Sequence, residues 1–163
     1  MKTLRIALSI LVAFIATAAL AESDANSAFD QIKSLQGSWA GKSSDGRPVQ
    51  VSNRVVSGGS ALMSEITGHE NMITMFHMDG NRLIMTHYCT SGNQPRMVGS
   101  VSPDGKTITF NFLDATNLLS AQHGHMDQVV FTLIDADHHT EQWQFATDDG
   151  KKMREVFDLQ RQK

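Results

Sequence analysis

The sequence predicts an all-β protein: a single antiparallel up-and-down β-barrel of about ten strands with a short N-terminal helix. From residue 37 onward, short runs of alternating or apolar character follow one another with no long helical pattern between them. Turn-forming clusters separate the runs at Ser44-Asp45-Gly46, Gly58-Gly59, Asp79-Gly80, Ser91-Gly92-Asn93, Pro103-Asp104-Gly105, Asp135-Ala136-Asp137 and Asp148-Asp149-Gly150. So many short strands in one small chain must hide their edges, and closing the sheet on itself does so. A two-sheet sandwich has the same spacing and is the competing architecture.

The first residues stand apart from this pattern. Lys2 and Arg5 make a short basic segment, Ile6 to Leu20 is almost wholly apolar, and Ala19-Leu20-Ala21 is the small-x-small pattern read by signal peptidase. Residues 1–21 are therefore expected to be a signal peptide, and residues 22–163 one exported domain, periplasmic or secreted. The apolar run is shorter than the roughly 20 residues of a comfortable membrane span. No cysteine follows it to carry a lipid anchor.

Ser23 to Ser27 reads as a polar tail. Ala28 to Leu35 reads as the helix, because Ala28, Ile32 and Leu35, with Phe29 beside them, share one face. Strands are expected near 37–43, 48–57, 60–67, 71–78, 82–89, 96–102, 106–113, 123–134, 138–147 and 151–159. The clearest hairpin runs from Met72 to Met97 about Asp79-Gly80, a dipeptide suited to tight reversal. Ala115 to Gln122 interrupts the meander, and Leu118-Leu119 is expected to form a helical turn or a lid. Ile108, Phe110 and Phe112 make one apolar face. His139, Trp143 and Phe145, with Glu141 among them, line another. Such mixed polarity fits a barrel with a partly polar cavity.

Composition narrows the partners. The chain carries a formal net charge of −3 with no basic cluster, which argues against nucleic acid and against anionic membrane surfaces. Its single cysteine cannot form an internal disulfide, so stability must come from the core. A small-molecule ligand is the expected partner, and no motif names a cofactor.

Two binding chemistries compete for the same residues. His87, Tyr88, Asn93, Gln94 and Arg96 offer directed polar contacts beside apolar walls such as Trp143, and a guanidinium at a cavity mouth would suit a carboxylate or phosphate. Alternatively, side chains alternate along a strand, so His87 and Cys89 share a face, as do His123 and His125. Two such pairs facing one cavity would give a three-histidine, one-cysteine set acceptable to zinc or copper, with Met85 and Met126 near enough in sequence to add thioethers. A haem held by an axial histidine is a variant of the pocket reading, without a c-type attachment motif. Catalysis is less favoured. His87 and Cys89 would lie about 6–7 Å apart along a strand, beyond direct hydrogen bonding. No nucleophile elbow, phosphate loop or His-Glu-x-x-His helix is present. Asp127, Asp137, His138 and His139 are expected at solvated strand ends and turns.

The short helix leading into Gly37-Ser38-Trp39, followed by a meander, resembles the calycin group of lipocalins and fatty-acid-binding proteins. The segments Thr86-His87-Tyr88-Cys89 with Gly92-Asn93-Gln94-Pro95-Arg96-Met97, His123-Gly124-His125-Met126, and Asp137-His138 before Trp143 resemble an uncharacterised family of exported bacterial proteins. The calycin resemblance implies a barrel closed around a small ligand. It does not carry fatty-acid binding: the Arg-x-Tyr pair of the last strand is replaced by Arg154-Glu155-Val156, and the lipocalin disulfide cannot form.

Overall fold

The computed structural model describes residues 24–68 and 70–163. The expected signal peptide lies outside them. The chain forms a helix, α1, over residues 24–34. Ten strands follow: β1 Gly37–Ser43, β2 Pro48–Val56, β3 Ala61–Thr67, β4 Met72–Asp79, β5 Arg82–Tyr88, β6 Gln94–Val101, β7 Thr107–Thr116, β8 His125–Asp135, β9 His138–Ala146 and β10 Lys152–Arg161. Every strand pairs antiparallel with its neighbours in sequence, and β1 pairs with β10 from Trp39 opposite Arg161 to Ser43 opposite Phe157. The sheet is therefore a closed up-and-down barrel and not a sandwich. At the closing seam the backbones approach closely. A Cβ added at Gly41 would lie 1.7 Å from the carbonyl oxygen of Asp158, so only glycine fits there.

The interior follows from alternation. Val49 and Val51 of β2, Leu62 and Ile66 of β3, Phe76 of β4, Leu83 and Met85 of β5, Met97 of β6, Ile108 and Phe110 of β7, and Phe157 and Leu159 of β10 are all buried in one cluster. Phe76, Phe110 and Phe131 meet edge-on with ring centroids 5.5–5.9 Å apart, the preferred arrangement for packed aromatic rings.

One end of this barrel is capped by α1. Ala28, Phe29, Ile32 and Leu35 are buried against the cluster. Trp39 Nε1 donates to the Leu35 carbonyl at 2.7 Å, and Asn53 Nδ2 donates to the same oxygen at 3.1 Å. The Arg161 guanidinium lies 4.2 Å over the Trp39 ring and donates to the carbonyls of Ser34, Gln36 and Ala136. Carbonyls at a helix C-terminus lack intrahelical donors, so one arginine both satisfies them and suits the negative pole of the helix. Residues 24–27, expected as a tail, form the first turn of α1; being largely exposed, they leave no apolar period to read.

Two other expectations are corrected. The strand expected from residue 96 begins at Gln94 as β6; Pro95 sits where pairing with β5 has not begun, the place in a sheet where a missing N–H is tolerated. Residues 117–124 form turns without a helix, and Leu119 points to solvent at 81% exposure.

Candidate functional site

The end opposite α1 is open and holds a cavity of about 620 Å³. Its depth is apolar: Met72, Met126, Trp143 and Phe145 line it, with Met153 at the lip. Its rim carries both signs of charge, from Asp45, Arg47, Glu70, Arg154 and Glu155. Several of these charges are tied to one another. Arg47 bridges Asp45 and Glu155, Arg154 Nε donates to Gln144 Oε1 at 2.7 Å, and Thr90 Oγ1 donates to Glu70 Oε2 at 3.0 Å.

Polar side chains continue inward from the cavity along β9. Trp143 Nε1 donates to Glu141 Oε2 at 3.0 Å, and Glu141 Oε1 accepts from His139 Nε2 at 3.1 Å. All three are buried, and the His139 ring packs edge-on against Trp39 at 4.3 Å. His139 is therefore an interior residue and not a solvated strand end; the parity it shares with Trp143 overrides its closeness to the Asp135–Asp137 turn. His138, next to it, faces outward and pairs with Asp158 at 2.8 Å.

His87 is the other buried imidazole. Its Nδ1 is hydrogen-bonded to Thr74 Oγ1 at 2.9 Å, and its ring lies 4.8 Å from the ring of Trp143 across the barrel. Its Nε2 is buried and has no partner among the described residues. Burial pushes its pKa down to about 4, because the charged form loses hydration and gains no nearby carboxylate. At neutral pH the ring is uncharged.

The remaining sequence candidates scatter. Cys89, one residue past β5, lines the cavity, and Trp143 of β9 forms its inner wall. Tyr88, next to both His87 and Cys89, is on the outer face at 50% exposure. Asn93 is buried as a strut: its Nδ2 donates to the Gly124 carbonyl at 2.8 Å, and its Oδ1 accepts from Ser91. Gln94 spans Gly92 and Thr116. Arg96 is on the outside, forked onto Asp114 at 2.5–2.6 Å, and the pair raises the Arg96 pKa while lowering that of Asp114. The guanidiniums at the cavity are Arg47 and Arg154 instead. His123 and His125 line a separate shallow concavity with Asp148 and Asp149, the His125 ring lying 4.4 Å from that of Phe112. The four-residue set of His87, Cys89, His123 and His125 is thus not assembled, and no three His, Cys, Asp or Glu side chains gather as a metal-binding group among the described residues.

Fold and cavity together define a closed ten-stranded antiparallel barrel, capped at one end and open at the other to a pocket of small-molecule size. Two solved structures share this barrel. Rv2717c from M. tuberculosis superposes with a TM-score of 0.57 at 18% identity, over 83% of this chain and 98% of that one. A protein of unknown function from the DUF3598 family of Nostoc punctiforme PCC 73102 gives a TM-score of 0.57 at 13% identity. The match covers 80% of this chain and 48% of that one, so the chain spans about half its length. At these identities the likeness is one of fold alone. No family model matches the chain, and neither does any curated protein.

Proposed function

We propose that this is an exported, calycin-like barrel that binds a small amphipathic organic molecule in its open end. The observation that carries this reading is the division of the cavity itself. Its depth is lined by Met72, Met126, Trp143 and Phe145, and its rim by Arg47, Arg154 and three carboxylates. An apolar body enters the sulfur- and aromatic-lined depth, where flexible methionines adapt to its shape. A polar or charged head then stays at the rim, where both signs of charge are available. The volume suits a drug-sized compound, since ligand pockets commonly enclose about 300–1,000 Å³. The short helix before Gly37-Ser38-Trp39 and the meander closing on itself support the calycin likeness, and the leader-like residues 1–21 support export.

Native mass spectrometry of untagged protein, with titration of anilinonaphthalene sulfonate as a fluorescent amphipathic probe, tests this reading. The expected result is a retained organic mass or saturable dye uptake, lost in Met153→Asp, which places a charge at the lip without disturbing the core. A clean apo mass together with no dye uptake by the unmodified chain would end the proposal.

A further inference from the structure

Two sulfur side chains of the cavity, Met72 and Cys89, and the buried imidazole of His87 close to them in the sheet carry a chemistry that an organic ligand does not use. Thr74 pairs with His87 and Ile73 with Tyr88, the last rung of the β4–β5 ladder, and the next residues, Met72 and Cys89, both line the cavity. Alternation places Met72 and Thr74 of β4 and His87 of β5 on the inward face, and Cys89, just past the end of β5, borders the cavity. Directly opposed residues have Cβ atoms about 4.5–5.5 Å apart, and residues two apart on a strand are separated by about 6.5–7 Å. His87 is therefore directly across from Thr74, which hydrogen-bonds its Nδ1, and each is two residues from a sulfur side chain of the cavity, Cys89 and Met72.

From this geometry we propose that the floor of the open end is a binding site for a soft monovalent cation of the copper(I) class, held by Cys89 Sγ, Met72 Sδ and His87 Nε2, with Met126 approaching from the facing wall. Each donor is prepared for that role. Thiolate and thioether sulfur with neutral imidazole is a soft set that selects copper(I) over hard cations such as magnesium or calcium. The Thr74 hydrogen bond engages Nδ1 and leaves Nε2, on the far side of the ring, buried and without a partner among the described residues. Cys89 is the only cysteine of the chain, so its thiol has no internal disulfide partner.

The backbone around the site is also fixed. Cys89 N–H donates to the Asn93 carbonyl at 3.2 Å, and Gly92 N–H donates to the Cys89 carbonyl at 3.0 Å. The Asn93 side chain reaches across to Gly124, two residues before Met126. Asn93 thus ties the turn that carries Cys89 to the strand that carries Met126, and both side chains line the same cavity. This gives a reason for burying an asparagine there.

The test is anaerobic titration of the whole protein with copper(I) against a chromophoric chelator, with silver(I) as a redox-inert probe and native mass spectrometry for stoichiometry. One ion per chain is expected. Cys89→Ser should weaken affinity by about a hundredfold, and the volume-conserving Met72→Leu and Met126→Leu by about tenfold each. His87→Gln should weaken it by about tenfold, while far-ultraviolet circular dichroism of each apo variant reports an intact barrel. Wild-type affinity in both methionine variants would mean that a lone thiol holds the ion and would overturn the site. Zinc(II) competing equally with copper(I) would overturn it as well. Dye uptake by a chain that takes up no copper(I) removes this inference and leaves the organic-ligand reading standing, so the two can fail separately.

Discussion

The two ends of the barrel are built from the same strands and solve opposite problems. At the capped end the carbonyls that follow the helix are answered: Leu35 O by Trp39 and Asn53, and the Ser34, Gln36 and Ala136 carbonyls by Arg161. At the open end Met72, Met126, Trp143 and Phe145 line a cavity of about 620 Å³ rimmed by charged residues. The capped end contributes stability by dense packing. The open end gives up packing for a concave surface that can take something in.

That contrast predicts its own tests, the largest effect first. Trp39→Ala removes the plug between α1 and the interior and should cost about 3–5 kcal/mol, read as a lowered denaturant midpoint. A loss under about 1 kcal/mol would show that α1 is an ornament and not a cap.

The second test uses pH on the open end. His87 has a folded-state pKa of about 4 against an ordinary 6.5, so the unfolded chain takes up this proton more readily than the folded one. Its contribution to stability is intact above about pH 6.5 and is lost as pH falls toward 4. The full loss is on the order of 3 kcal/mol. His87→Gln should flatten the stability profile over that window relative to the natural chain; parallel profiles would show that His87 is not held neutral by burial.

Third, Met153→Asp should change stability by no more than about 0.5 kcal/mol, because Met153 is 62% exposed, while abolishing dye uptake at the lip. Retained uptake would move the binding surface away from the open end. The smallest effect belongs to Arg96→Ala, which removes an outer-face pair with Asp114. Neither dye uptake nor the unfolding midpoint should move measurably. A loss of uptake would return Arg96 to the site and blur the distinction between inside and outside.

Local signals made the barrel legible and left the site only half so. Turn clusters such as Asp79-Gly80 and Asp148-Asp149-Gly150 mark strand ends without reference to anything distant, and the strands begin and end close to where those turns require. Parity likewise placed His87 and Cys89 on one face, with Trp143 and Glu141 on another. Arg96 was misplaced for a nameable reason. It stands at the first position of the strand expected over 96–102, where no inward or outward face was assigned; within β6, the buried Met97 next to it turns Arg96 outward opposite Thr86. Neighbours across the barrel are harder still. That the His87 ring meets that of Trp143, or that Cys89 shares a cavity with Met126, depends on how strands far apart in sequence face each other once the sheet closes. Irregular steps such as the bulge between Met126 and Gln128 shift that alignment, and no spacing in the sequence announces them.

The seam at Gly41 bears on how the molecule comes into being. Nine of the ten strand pairings join consecutive segments, whereas β1 must find β10 across nearly the whole chain. Hairpins can therefore assemble one after another at low entropic cost, while ring closure waits for the last strand to be present. Until Leu159 reaches Gly41, the nascent sheet has two open edges that other chains can pair with. A methyl group at Gly41 would leave those edges unjoined, turning a finished ring into a template for aggregation.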